Sequence, residues 1–502
     1  MGEHIRTDMG SGLFAIEADW SLVFIFLILW YILMRSWESS GKLDDWKASR
    51  ALGFILMLRT SWGKNVLEKI SKPRKFWRAY GEVSLWVCWF SMFAVGFVLL
   101  IAVISAIMVD TKVDPPSATE LVAIPGLNPM IPLGWGTLAF VVCLVMHEFG
   151  HGIQMRAHGM RVRNFGLLLL GPIPLGAFAE PEHSEIIESP RRERQRLFAA
   201  GPATNILSAL ILMVLMGSLV GQFAAADSGV HSSRIIKETG AATAVNSDGE
   251  NAGLNPWDII IEIDGAPIID TDDFSDKMGQ LSSGDTVEME VVRYDTGNQE
   301  TILVNLTDKY AYYLELGWST EMIESQGIEE GDAFLGVENL ADGTAGIDRL
   351  AGWAHPDFEG DMLTYSVAVP FHTLNLLVTP FQYQGVSIHP AQEQMLAAGD
   401  GWLASLVGLE GLLLIVNLIF WLIWVNILLG FTNLIPMIPF DGGHLFKDIV
   451  HGIMSGLRRL GKKTGFWSIH PLWVSHVTTK ASSMSSLLLL VVLAFLMISP
   501  YL

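Results

Sequence analysis

The chain has 502 residues, a formal net charge of −20, 51% hydrophobic residues and only 17% charged ones, with a mean hydropathy of +0.39. Soluble domains usually carry about a quarter charged residues, so the composition excludes an ordinary soluble protein, and the acidic balance argues against a nucleic-acid partner. Two cysteines, Cys88 and Cys143, both lie in apolar runs, which leaves no disulfide framework and no cysteine metal site.

Six apolar runs are long enough to cross a bilayer, at about 20–35, 83–109, 133–154, 197–220, 404–431 and 484–499. Glu17 and Asp19 precede the first, and no small-residue cleavage site follows it, so it reads as a span and not a cleaved signal. Basic residues concentrate at Arg35–Arg78, Arg156–Arg163, Arg191–Arg196 and Arg458–Lys463. By the positive-inside rule these segments are cytoplasmic. The N-terminus, the 110–132 loop, the acidic 221–400 segment and the C-terminus then lie outside.

Five regions follow: 1–82, a first span and a basic cytoplasmic loop; 83–222, a membrane core; 223–400, an outside segment; 401–450, the return of the core; and 451–502, a cytoplasmic loop and last span. Within the first, Leu52–Leu58 into Lys69–Arg78 has amphipathic helical character suited to lipid headgroups. In the outside segment, Gly253–Gly265 reads as a turn, a short apolar strand and an Asp-Gly turn. A helix over 272–281 and a strand over 286–293 follow. This order resembles a PDZ domain over about 228–310, with Trp257 where that pattern has glycine, and the fold class expected for the insert is α+β. PDZ domains bind peptides by adding a strand to a sheet edge. The apolar stretch Met362–Tyr383 contains Pro370 and Pro380, which predicts a broken segment along the outer membrane surface.

The third run contains His147-Glu148-Phe149-Gly150-His151. Histidines four apart on a helix point the same way, and two neutral imidazoles at that spacing can grip one zinc ion while Glu148 accepts a proton from its water. Glu148 is the only charged side chain from Leu133 to Gly152, and a charge inside a span is costly and usually functional. A third ligand is needed, and Asp441 is the candidate. It ends the run Asn433-Leu434-Ile435-Pro436-Met437-Ile438-Pro439-Phe440-Asp441, where two prolines break helix, and Gly442 and Gly443 follow to permit irregular backbone. On residues alone Asp441 reads equally well as a helix cap.

The pairing of HExxH with this distant N-x-x-P-x-x-P-x-D-G-G run resembles the site-2 protease family of intramembrane zinc metalloproteases. Gly201-Pro202-Ala203-Thr204-Asn205 matches that family's G-P-x-x-N, and Gly176-Ala177-Phe178-Ala179-Glu180-Pro181 is similar to its G-A-F-V-E-P strand. The resemblance covers roughly 133–215 and 410–450. It implies a helical membrane protein of about six transmembrane helices with a re-entrant β-hairpin over 162–180 and an extracytoplasmic PDZ-like insert. It implies a single Zn2+ held by His147, His151 and Asp441, with Glu148 as general base. Asn205 and Asn433 would bind substrate backbone or the oxyanion, and Gly176, Ala177 and Phe178 would pair with an extended substrate strand. The implied substrate is a single-span membrane protein already trimmed by another protease, cut inside the bilayer of the cell membrane, with the zinc site toward the cytoplasm. The alternatives are a membrane-anchored zinc protease acting on soluble or loop substrates, a PDZ-bearing receptor and a metal transporter.

Overall fold

The structure, a computed structural model, describes residues 20–51, 53–60, 63–108, 117, 119–171, 173–226 and 228–501. Among them six helices are long and apolar enough to cross a membrane: Arg74–Met108, Leu133–Ala157, Arg191–Gln222, Met362–Gln382, Trp402–Asn433 and Pro471–Ile498. Their exposed faces carry large apolar side chains, such as Phe90, Phe93, Leu487 and Val491, as expected where lipid replaces water. Five of the six overlap expected spans. The expected first span falls in a helix, Trp20–Ser39, that begins at the edge of the described residues and is not among the six.

The sixth is a correction. Met362–Gln382 is one continuous helix with Pro370 and Pro380 inside it. Each proline removes one N–H and crowds one turn, and here a threonine hydroxyl works alongside: Thr373 Oγ1 donates to the Val369 carbonyl at 2.7 Å and Thr379 Oγ1 to the Asn375 carbonyl at 3.0 Å. These bonds tie turns beside each proline; the carbonyls the prolines free are those four residues back, of Ser366 and Leu376.

The chain divides into two compact units. One holds the residues up to Val214, with Val367–Gly385 and Asn417–Leu502; the other holds Leu215–Ser366 and Val386–Val416. The first unit contains a four-stranded antiparallel sheet in the order β1 (Ala48–Ala51), β2 (Ile55–Thr60), β3 (Val162–Leu170), β4 (Ile173–Pro181). β3 and β4 form the hairpin expected over 162–180, with Gly166 opposite Phe178 and Leu167 opposite Ala177. β2 overturns the amphipathic helix expected from Leu52. A short apolar run such as Phe54–Leu58 cannot be told from a helix by periodicity, and the pairing of Leu58 with Leu167 decides for strand.

The second unit is built on a sheet ordered β14-β6-β8-β10-β11-β7: β14 (Val337–Asp342), β6 (Val230–Ile235), β8 (Ile259–Ile263), β10 (Thr286–Val292), β11 (Gln299–Asn305) and β7 (Val245–Asn246). β9 (Ala266–Pro267) pairs with β8 through Asp264 and Gly265, both at positive φ, the geometry of a type I′ turn. β5 (Phe223–Ala225) pairs with β15 (Leu396–Ala398), and β12 (Thr307–Asp308) with β13 (Ala333–Phe334). Alternate residues of β10 and β11, among them Val287, Met289, Val291, Ile302 and Val304, fill the core. The helix Thr271–Met278 starts on Asp270, whose side chain accepts from the N–H groups of Asp272 and Asp273 at 3.0 Å.

Trp257 adopts φ 76°, a conformation costly for a bulky residue, and stacks on His389 at 4.1 Å and on His231 at 5.6 Å. His231 is 1% exposed, and burial pushes its pKa down to about 4, with nearby Asp342 opposing and His389 adding to the shift. The folded unit therefore keeps His231 neutral while the unfolded chain protonates near 6.5. Between those values the unfolded state binds more protons, so stability falls as pH falls, by about 1.4 kcal/mol per unit. Pulse proteolysis of this unit in urea should give a midpoint that drops from pH 7 to pH 4.5. His231→Phe should flatten the drop, and an unchanged pH profile in that variant would refute the assignment.

Candidate metal centre

His147 and His151 lie one turn apart on the helix Leu133–Ala157, at 5% and 8% exposure. Each ring is anchored through Nδ1. That of His147 sits 2.8 Å from Asn205 Oδ1, and that of His151 sits 2.8 Å from the Leu197 carbonyl. With Nδ1–H donating to these oxygens, each Nε2 carries a free lone pair. The two Nε2 atoms are 3.1 Å apart, and Asp441 Oδ2 is 3.2 Å from each. A tetrahedral zinc with bonds of about 2.0–2.1 Å needs ligand atoms about 3.3 Å apart. The triangle matches one face of that tetrahedron, and the donor set suits zinc. The residues fit a metal ion, and this is the one such group among the described residues.

Asp441 reaches this point because the helix Trp402–Asn433 ends before the Pro436–Pro439 turns and a new helix, Asp441–Thr464, begins on the carboxylate itself. A helix N-terminus favours a negative charge. The two glycines that follow do not serve an irregular backbone, as expected from sequence; both are helical. They are small because the preceding turn lies against them: a Cβ on Gly443 would fall 2.6 Å from Ile438 N, and one on Gly442 would fall 2.7 Å from the Ile435 carbonyl.

Glu148 points toward the hairpin, where its Oε2 accepts the Ala179 N–H of β4 at 2.7 Å. β4 is an edge strand of its sheet. Because backbone groups alternate in direction along a strand, the N–H and C=O of Ala177 turn to the same outer edge as the Ala179 N–H. Those of Gly176 and Phe178 turn toward β3.

Two expected site residues, Asn205 and Asn433, make hydrogen bonds within the protein. Asn205 is 0% exposed. Its Oδ1 faces His147, and its Nδ2 donates to Asn426 Oδ1 at 2.9 Å and to the Cys143 carbonyl at 3.3 Å. It supports a histidine and does not line open space. Asn433 donates from Nδ2 to the Leu429 carbonyl of its own helix at 3.0 Å. Of the nearby histidines, His158 lies 3.5 Å from Glu193 and His444 stacks on Phe198 at 4.4 Å.

Sequence reading placed Gly201 in the G-P-x-x-N run without a role and missed Asn426. A Cβ on Gly201 would stand 2.7 Å from His147 Nε2 and closer still to His151 Nε2. On the other side, a Cβ on Gly150 would meet Thr204 Oγ1 at 2.6 Å and the Ala200 carbonyl at 2.7 Å. The helices Leu133–Ala157 and Arg191–Leu219 therefore touch through small residues, as membrane helices do. Asn426 had one available signal, an amide within the apolar stretch Leu418–Phe431.

Residues 135–469 match peptidase family M50. An uncharacterized protein of Methanocaldococcus jannaschii is 26% identical over 278 residues, covering 54% of this chain and 67% of its own. Two proteins provisionally named zinc metalloproteases are also similar. That of Clostridium perfringens is 25% identical over 43% of this chain and 70% of its own. That of Rhizobium meliloti is 25% identical over 63% of this chain and 86% of its own.

Proposed function

The chain belongs to peptidase family M50, and from that premise we propose that this membrane metalloprotease cuts single-span membrane proteins inside the bilayer. The observation that carries the reading is the 3.1–3.2 Å triangle of His147, His151 and Asp441, its two histidines on a helix apolar enough to cross a membrane. These three residues would hold a single zinc ion, which when bound would supply Lewis-acid activation of the attacking water and of the scissile carbonyl.

The protein's own residues do the rest. Glu148 takes the proton of the attacking water and returns it to the leaving amine. The Ala179 N–H, 2.7 Å from its Oε2, holds the carboxylate in one orientation without adding a charge. A helical substrate hides its carbonyls in its own hydrogen bonds, so it must unwind first. The N–H and C=O of Ala177 receive the extended strand at the outer edge of β4, flanked by Gly176 and Phe178. The second unit acts outside the membrane as a PDZ-like filter for substrates already trimmed by another protease. Its strand β14 ends the sheet and offers the kind of edge to which peptides add. The zinc site lies toward the cytoplasmic side, in keeping with the basic segments that flank it.

Purified protein in liposomes with a single-span substrate tests this reading, and the products should end within the span. Ala177→Pro removes one outward N–H while sparing the ladder to β3, a place where sheets tolerate proline. Losing that bond and the close approach should lower kcat/KM about 10–100-fold, chiefly through KM, with zinc content unchanged. Cleavage only outside the span, or full activity of Ala177→Pro on a spanning substrate, would count against it.

A further inference from the structure

We infer that Asn426 is a positioning residue of the metal centre, fixing the tautomer of His147 through Asn205. The inference rests on the reading that His147 is a zinc ligand. Asn426 is 0% exposed and sits in the helix Trp402–Asn433 between Val425 and Ile427. Its Nδ2 donates to the Leu422 carbonyl at 2.8 Å, so its Oδ1 must face the other way, and it accepts Asn205 Nδ2 at 2.9 Å. Asn205 then presents Oδ1 to His147 Nδ1 at 2.8 Å.

The direction of this chain matters because a carboxamide has one donating end and one accepting end. Turned as found, Asn205 accepts from Nδ1–H and leaves the His147 Nε2 lone pair for metal. Turned over, it would donate to Nδ1 and force the proton onto Nε2, which cannot then ligate. Nothing in Asn205 itself selects between these. Its far end meets two acceptors, Asn426 Oδ1 and the Cys143 carbonyl, and the latter is the longer contact at 3.3 Å. Asn426 is in turn fixed by a backbone carbonyl that cannot rotate. The Leu422 carbonyl, together with the more distant Cys143 carbonyl, thus sets the proton position on a ring three hydrogen bonds away. His151 needs no such relay, because the Leu197 carbonyl holds its Nδ1 directly at 2.8 Å.

The test uses the full-length protein in detergent with two substitutions. Asn426→Leu keeps the branched heavy-atom shape and removes both the acceptor toward Asn205 and the donor toward Leu422. Asn426→Asp keeps the acceptor toward Asn205, and as a buried neutral acid also keeps a donor toward Leu422. Zinc affinity is read by chelator competition, ligand geometry by the visible spectrum of Co2+-loaded protein, and packing by the melting temperature of the metal-free form. Asn426→Leu should weaken zinc binding about 10–100-fold, the usual effect of removing an outer-shell partner, and alter the Co2+ spectrum while the metal-free protein melts as the parent does. Asn426→Asp should restore both. Should Asn426→Leu fail to fold, Asn426→Ala takes its place. Unchanged zinc affinity overturns the inference. So does an equal loss in both variants with a lower metal-free melting temperature, which marks plain packing. His147→Ala and Asp441→Ala serve as the separate control: if they too leave zinc binding intact, the metal-site reading fails, and not only this relay.

Discussion

Gly201→Ala is expected to abolish metal binding and proteolysis while leaving the fold in place. The added methyl would occupy space 2.7 Å from His147 Nε2 and nearer to His151 Nε2, on the side where those atoms and Asp441 Oδ2 converge. The imidazoles cannot retreat, because each is tied through Nδ1 to a buried oxygen at 2.8 Å. The helix carrying Gly201 cannot retreat either without opening its contact with Gly150. Zinc affinity should fall well beyond the roughly 10–100-fold typical of outer-shell changes, since the ligand positions themselves are obstructed. Metal analysis of the purified variant is the direct measurement. Gly456→Ala is the control: its Cβ would meet nothing within 4 Å, and alanine at a helical glycine should be neutral or slightly stabilising. A Gly201→Ala protein that kept full zinc would show that the helices do not pack as described.

The contrast between Gly201 and the histidines shows what sequence could and could not carry. His147 and His151 were legible because a four-residue spacing fixes relative direction on any helix. Asp441 was legible as a place, since two prolines before it end one helix, but on residues alone its ligand role stood level with that of a helix cap. The role of Gly201 depends on which helix it faces, and a glycine near a span's start says nothing of that. Asn205 was read as a group reaching toward substrate. Its partner Asn426 lies 221 positions away in sequence, and only their meeting turns the amide inward. β2 and Met362–Gln382 failed for local reasons. A short apolar run fits two periods equally, and the two prolines stand inside a helix that sequence rules alone would break. The Asp264–Gly265 turn was legible because its signal is short-range, whereas the strand pair β3–β4 was expected only through the resemblance.

Glu148→Gln should leave zinc bound and reduce cleavage by about 100- to 10,000-fold, the range that general acid–base groups contribute. The substitution is nearly isosteric. Glutamine's carbonyl oxygen can still accept the Ala179 N–H, which now reaches Glu148 Oε2 at 2.7 Å, so neither β4 nor the motif helix has reason to move. The metal ligands are untouched, because His147, His151 and Asp441 form their triangle without the Glu148 side chain. What disappears is the ability to take a proton and give it back. The loss should therefore fall on kcat, with KM for a spanning substrate retained, and the variant should capture uncut substrate in a complex that survives purification. Glu148→Ala sharpens the point, since it also leaves the Ala179 N–H without its acceptor and should disturb the strand edge and raise KM as well. A Glu148→Gln protein that hydrolyses at the parent rate would remove the proposed base. One that lost its zinc would make Glu148 a structural support of the metal site instead.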